Sequence, residues 1–324
     1  ELHELKRGQP LDLPLSVRLT RGRGPAVAEA QITVRHELCE ERAALPLVSL
    51  GRRGALDIAE RTESGQRLVT LGNGWMRLTV APDYNGSLVA LEHDGVNHLH
   101  SSFPTPRPLS WSNPWHGGVS PVLFGWDEDD PGPGNPGRMT GETWDYSLLP
   151  AVRGAQLPWA GVRVGSTLQR QRVRGLRLEM DYLTLSRSNV AAIVTRVINL
   201  TAAPFSGVLV TQAYLAPGGD VTKGILHDLH GRHVRRAQHL EWGANSGRWG
   251  GVANSATGQC LALVAGSPDA GVYALDYGVD GAHLFGVARV VLAPHATFTG
   301  VNYLVLAPDV TQARLYRCLE SIAW

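Results

Sequence analysis

Between Gln66 and Pro308 the chain repeatedly sets apolar side chains at every second position. In "RGLRLEMDYLTLS" Leu176, Leu178 and Met180 fall on one side and Arg177, Glu179 and Asp181 on the other. That is the period of a β-strand whose two faces meet different surroundings. The strand-like segments "RLVTLGNGWMRLTVAP", "GSLVALEHDG", "VAAIVTRVINLTAAPFSGVLVTQAYL", "CLALVAG", "GVYALDYG" and "ARVVLAP" are separated by Gly, Pro and Asn, the residues that suit turns. So many long strands predict two large antiparallel sheets packed face to face. Upstream, "LDLPLSVRL" and "AEAQITVRHEL" alternate around a turn at "TRGRGPA", which predicts a few leading strands or a small β-sandwich.

Helix is scarce in this pattern. The persuasive case is "PDVTQARLYRCLESIAW", where Asp309 or Thr311 can cap the start and Leu315, Leu319 and Ile322 recur at helical spacing. The expected fold is therefore mainly β, two large antiparallel sheets packed together over 63–308. A small β-sandwich-like segment (1–62) precedes them and a short C-terminal helix (309–324) follows. Residues 101–158, rich in Pro, Gly and Trp, and 221–251, rich in His and Arg, carry neither period. Loops of that length inside a compact domain are functional or disordered. The tryptophans argue for order in the first, since indole surface needs to be covered.

Composition narrows the function classes. The 324 residues supply ample material for a core, and 30 Lys and Arg against 29 Asp and Glu leave a net charge of +1 without a basic block. Electrostatically driven nucleic-acid binding needs cations gathered on one face, and this balance argues against it. Cys39, Cys260 and Cys318 are far apart and odd in number, which gives neither a disulfide framework nor a thiolate metal site. No run reaches the length of a membrane span, and "ELHELKRGQP" lacks the apolar stretch of a signal peptide. These features favour the cytoplasm, unless a leader has been removed. Nothing calls for a cofactor.

Candidate chemistry concentrates in one region. Trp111, Trp115, Trp126, Trp144 and Trp159 are five of the nine tryptophans, and indole faces stack on the apolar faces of sugar rings while acids and amides take the hydroxyls. The plainer alternative is that they cover a sheet. In "NPWHGGVSPVLFGWDEDD" and "GETWDY", His116, Asp127, Glu142 and Asp145 accompany them. Glycoside cleavage by hydrolysis wants two carboxyls, one as acid and one as nucleophile or base; elimination wants a His or Tyr base. His116 and Glu142 are the catalytic candidates, and Trp111, Trp115, Trp126, Asp127, Trp144, Asp145 and Tyr214 the substrate-binding ones. "DEDD" (127–130) lacks the spaced ligands of a calcium loop. His227, His230, His233 and His239 lack zinc-site order and have Arg232, Arg235 and Arg236 among them. No metal is expected.

Several of these segments resemble a known family. "LGNGWMRLTVAPDYNGSLVAL", "PWAGVRVGSTLQRQRVRGLRLEMDYLTLSRSNVAAIVTRVINLTAAPFSGVLVTQAYLAPGG" and "ARVVLAPHATFTGVNYLVLAP" are similar to the opening, central and closing strands of the galactose-mutarotase-like supersandwich. That fold serves aldose epimerases and sandwich domains of glycoside hydrolases and polysaccharide lyases. The resemblance implies that His116, Gly117 and Gly118 match the epimerase substrate loop. Gln212 and Ala213 stand where its acid histidine is expected, beside Tyr214, and Asp276 and Asp280 replace a late glutamate. Three readings follow: a carbohydrate-active protein that holds a saccharide in a Trp-lined cleft, glycosidase or lyase if an enzyme; a non-catalytic carbohydrate-binding or structural module of a larger enzyme; and a divergent aldose epimerase.

Overall fold

The computed structural model describes residues 25–36, 39–52, 54–109, 112–125, 141–150, 157–170, 173–233 and 242–322. Two antiparallel sheets dominate it. The larger has ten strands, nine of them in the order Trp242–Asn245, Ala270–Asp276, Ala282–Leu292, Phe205–Tyr214, Val119–Gly125, Ser87–His93, Arg77–Ala81, Gln66–Gly72 and Asp57–Glu63, with Val96–Asn97 paired beside Ser87–His93. The second has eight, in the order Asp145–Leu149, Ala160–Thr167, Leu176–Thr184, Val190–Asn199, Thr297–Ala307, Cys260–Ala265, Trp249–Asn254 and Gly224–His227. The strand Thr297–Ala307, late in the chain, thus sits in the middle of its sheet.

The period of two explains how the layers form. Leu176, Leu178 and Met180 enter the core between the sheets, where they meet Leu78, Leu88, Leu209 and Leu284. Burying each such side chain stabilises the fold by about 1.5–3 kcal/mol. Tyr182, in the same row, crosses to the larger sheet and donates its hydroxyl to the carbonyls of Gly86 (2.8 Å) and Val119 (3.0 Å). This satisfies a buried phenol and ties the two layers together.

On the outer face of the second sheet the polar partners of that alternation form a ladder of ions. Asp181, fully buried, accepts from Arg163 Nε (2.7 Å) and Arg196 Nη1 (2.7 Å), and Arg177 joins Glu179 to Asp145. Toward the C-terminal segment the same face is apolar and covered. Trp159, Trp249 and Tyr303 pack there beneath the C-terminal segment. That segment is an α-helix only over Val310–Leu315 and tightens to a 3₁₀-helix over Tyr316–Ser321. Asp309 caps it, accepting from the Gln312 amide at 2.8 Å. Its most buried residues are Ala313, Tyr316 and Leu319, three apart, and that spacing suits the tighter helix.

The leading segment divides in two. Ala26–His36 and Cys39–Ser49 form a two-stranded sheet of their own, with Val27 and Val48 packed at the covered outer face of the second sheet. Asp57–Glu63 instead pairs with Gln66–Gly72 as the edge of the larger sheet, so this strand straddles the 62/63 boundary expected from the sequence. Cys260 is buried, Cys318 is half-buried and both are free thiols.

Candidate functional site

The outer face of the larger sheet carries the densest cluster of aromatic and imidazole groups. In Phe205–Tyr214, Leu209 and Ala213 point into the core while Val210 and Tyr214 point outward. The pairing register sets Tyr214 opposite His283 and Gln212 opposite both Phe285 and Ser120, which brings these side chains to the same outer face. The Tyr214 ring lies 4.8 Å from His283 and 5.5 Å from Phe285, and Tyr277 lies 5.3 Å from His283.

A short hairpin, Arg107–Leu109 with Ser112–Trp115, crosses this face. It places Leu109 and Trp115 in the cluster. The Trp115 indole is fully buried, edge-on to Tyr214 at 5.3 Å and tilted against His100 at 4.5 Å, with the Arg107 guanidinium over it at 5.4 Å. The Gly117–Gly118 pair makes this crossing possible. Both glycines have positive φ (68° and 66°). A Cβ on Gly117 would collide with the His100 carbonyl and the Trp115 ring, and one on Gly118 with the Leu88 carbonyl.

Polar groups on this face are incompletely satisfied. Both amide atoms of the fully buried Gln212, Nε1 of Trp115, Nδ1 of His100 and Nδ1 of His116 lack hydrogen-bond partners among the described residues. His283 differs: its Nδ1 accepts from the Leu215 amide (3.1 Å) and its Nε2 faces the Asp280 carbonyl (3.1 Å), so both ring nitrogens are held by backbone. Arg107 approaches His100 Nε2 at 3.3 Å. An arginine can only donate, so this contact leaves the His100 proton on Nδ1.

Burial pushes His98, His100 and His116 each down to about 4; the charge of Arg107 adds to the effect at His100, and that of His93 at His98. The unfolded chain binds these protons near the ordinary histidine value of about 6.5, so it takes up protons that the folded chain refuses. The contribution is fully present above about pH 6.5 and is lost as pH falls towards 4. Melting temperature should decline across that window, and the decline should shrink in His116→Phe. An unchanged profile in that variant would show that His116 accepts its proton without cost to the fold.

No family model matches the chain, and no curated protein sequence does. Several solved structures match it over nearly their whole length. A putative aldose 1-epimerase from Klebsiella pneumoniae superposes with a TM-score of 0.58 at 9% identity, over 92% of this chain and 96% of its own. A galactose mutarotase-like protein from Clostridium acetobutylicum gives 0.55 at 12%, over 78% and 99%. Galactose 1-epimerase from Lactobacillus acidophilus gives 0.51 at 12%, over 78% and 98%. The chain has the galactose-mutarotase-like sandwich fold.

Within this mutarotase-like sandwich the residues singled out by sequence separate into two groups. Trp115, His116 and Tyr214 share the outer face of the larger sheet. Glu142, Trp144 and Asp145 do not. The Glu142 carboxylate accepts from the Gln169 and Arg170 amides beyond the strand Ala160–Thr167, and no hydrogen bond or ion pair joins it to His116. Trp144 lies in the inter-sheet core, over Gly86. Asp145 is the outer rung of the ion ladder, paired with Arg177 at 3.0 Å. Trp111, Trp126, Asp127, the acidic run to Asp130 and His239 lie outside the described residues. Trp159 packs on the other sheet.

His100, Arg107, Tyr277 and His283 are the members of the cluster that sequence reasoning missed. The available signals were slight: His98 and His100 alternate around Leu99 just before the Trp-rich stretch, and His283 alternates with Phe285. Asp276 and Asp280 offer the cluster little as bases. Asp276 accepts from the Gly278 amide at 2.9 Å, and Asp280 contributes its carbonyl. Among the described residues no group of three or more His, Cys, Asp or Glu could hold a metal ion, and no helix is long and apolar enough to cross a membrane.

Proposed function

We propose that the protein binds a saccharide on the outer face of the larger sheet, with Gln212, His100 and Trp115 supplying hydrogen bonds and Tyr214 and Trp115 the ring contacts. The supporting observation is that Gln212, Trp115, His100 and His116 together bring five buried polar atoms without partners among the described residues to this face, while others are scattered singly, as at Trp144, Ser166 and Asn302. A buried donor or acceptor without a partner costs about 1–3 kcal/mol, and native proteins hold few of them. A polyhydroxylated ligand offers donors and acceptors on every edge and would satisfy several at once. The cluster is closed by Leu109 and Trp115, while Arg107 is exposed and His100 half-buried at its margin. Entry therefore requires the hairpin to lift.

Binding is favoured over glycoside cleavage because Glu142, the carboxylate candidate, accepts from the Gln169 and Arg170 amides away from this cluster, and cleavage by a carboxyl pair needs two. It is favoured over epimerisation because Gln212 occupies the outward position and an amide neither takes nor gives a proton at neutral pH. The kinship of fold with aldose epimerases makes galactose and glucose the first ligands to try.

Gln212→Leu tests the reading. Removing an amide that lacks partners should stabilise the ligand-free protein by about 1–3 kcal/mol and weaken hexose binding in calorimetric titration. A variant that is destabilised yet binds as before would sink the proposal.

A further inference from the structure

The His-rich loop 227–233 borders a second, smaller site. A cleft of about 200 Å³ opens where the edge strand Gly224–His227 of the second sheet approaches the end of Ala270–Asp276 in the larger one, and it is lined by Thr222, Lys223, Arg232, His233, Ser255 and Asp276. Backbone contacts hold these residues close together. The Ser255 amide donates to the Lys223 carbonyl (2.9 Å), the His233 amide to the Leu226 carbonyl (2.8 Å), and Arg232 bridges to His227.

The charges here are unequally used. Every acid at the cleft is engaged. Asp276 is buried and accepts from the Gly278 amide at 2.9 Å. Asp220 accepts from the amide and hydroxyl of Thr222 (2.9 and 2.7 Å), and Asp228 from the amides of His230 and Gly231 and, at 2.7 Å, pairs with His233 Nε2. The donors are in a different state. Lys223, Arg232 and Ser255 are exposed at the mouth of the cleft, and their side chains make no hydrogen bond or ion pair among the described residues. Lys223 is one of only two lysines in the chain. Next to the cleft, burial first and then the positive charges of Arg314 and Arg232 push His227 down to about 4, against the opposing charge of Asp228.

We infer that this cleft binds an oxyanion, the phosphate, sulfate or carboxylate of a ligand, with Lys223 and Arg232 providing the charge and Ser255 a hydroxyl donor. The two cations are complementary in shape, since arginine presents a planar fork to two oxygens while lysine adds a compact point charge. The cleft also lies beside the candidate saccharide face. Tyr277 of the aromatic cluster directly follows Asp276, and Gly281, two residues before His283, packs against Val221, two residues before Lys223. An oxyanion could therefore arrive free or as the charged end of a sugar held on that face.

The deciding experiment is titration of the full chain with inorganic phosphate at low ionic strength, followed by glucose 6-phosphate, glucuronate and uncharged glucose. Inorganic phosphate should bind, and its affinity should fall about tenfold in the double variant Lys223→Gln, Arg232→Gln, the scale of losing two charge-assisted contacts at a partly solvated site. A control that removes two cations elsewhere, Arg61→Gln with Arg289→Gln, should bind phosphate as the parent does. Tighter binding of glucose 6-phosphate or glucuronate than of phosphate, lost in the double variant, would assign the oxyanion to a sugar; equal binding would assign it to a free ion. Equal weakening in both double variants, or no phosphate binding, overturns the site. Failure of glucose alone to bind counts against the saccharide face and leaves the oxyanion cleft standing.

Discussion

Trp115→Ala will lower the free energy of unfolding by about 3–5 kcal/mol, the range for truncating a buried aromatic side chain. The indole is fully buried between His100 and Tyr214 with Arg107 over it. Removing it leaves a cavity that Tyr214, fixed on a strand of the larger sheet, cannot move in to fill. Urea unfolding followed by tyrosine and remaining tryptophan fluorescence measures the change. From sequence alone this side chain reads as a rim residue, whose loss weakens sugar binding by about 1–3 kcal/mol and spares the fold. A stability change below about 1 kcal/mol would restore that reading and mean that the hairpin moves freely over the sheet.

Asp181→Ala will have an effect of similar size for an electrostatic reason. The carboxylate is fully buried and accepts from both Arg163 and Arg196, and its hydrogen bond is the main cause of the raised Arg163 pKa. Its removal takes this acceptor from Arg196 and leaves Arg163 with Glu179, at 3.4 Å, as counter-charge; both guanidinium groups are partly exposed, so the cost falls at about 3 kcal/mol, the lower end of the range for breaking a buried pair from one side. Asp145 ends the same ladder but its side chain is 65% exposed. Exposed pairs contribute about 0–1 kcal/mol, so Asp145→Ala should change stability by less than about 1 kcal/mol. Equal losses in the two variants would show that burial does not set the strength of this ladder.

The strands were legible because alternation reports directly on burial. Leu176, Leu178 and Met180 do enter the core, and the fold is the one that the strand and turn segments resembled. Alternation could not tell that the polar side of the same strand closes over itself: Arg163 and Arg196 cover Asp181 from neighbouring strands, and cross-strand pairing is not written in one strand. The candidate site was less legible for the same reason. Tyr214 and His283 are adjacent by register although far apart in the chain. Clustering of tryptophans along the sequence did not mean clustering in space, since Trp115 and Trp144 ended on opposite sides of the larger sheet. Glu142 shows the limit of residue type as a signal: a carboxylate two residues from a tryptophan can serve a sugar or bind two backbone amides, and here it binds the amides.

The position of Thr297–Ala307 has a consequence for how the molecule is made. It hydrogen-bonds Val190–Asn199 on one side and Cys260–Ala265 on the other. During synthesis the strands before it must wait, with two unpaired borders, until the long stretch of chain beyond Asn199 has left the ribosome. Pairings so distant in sequence form slowly, and open strand borders recruit other chains while they wait. Arg196, on the waiting strand, is charged, a residue type that discourages such recruitment. Nascent chains stalled before Thr297 should accordingly depend on chaperones far more than the finished protein does.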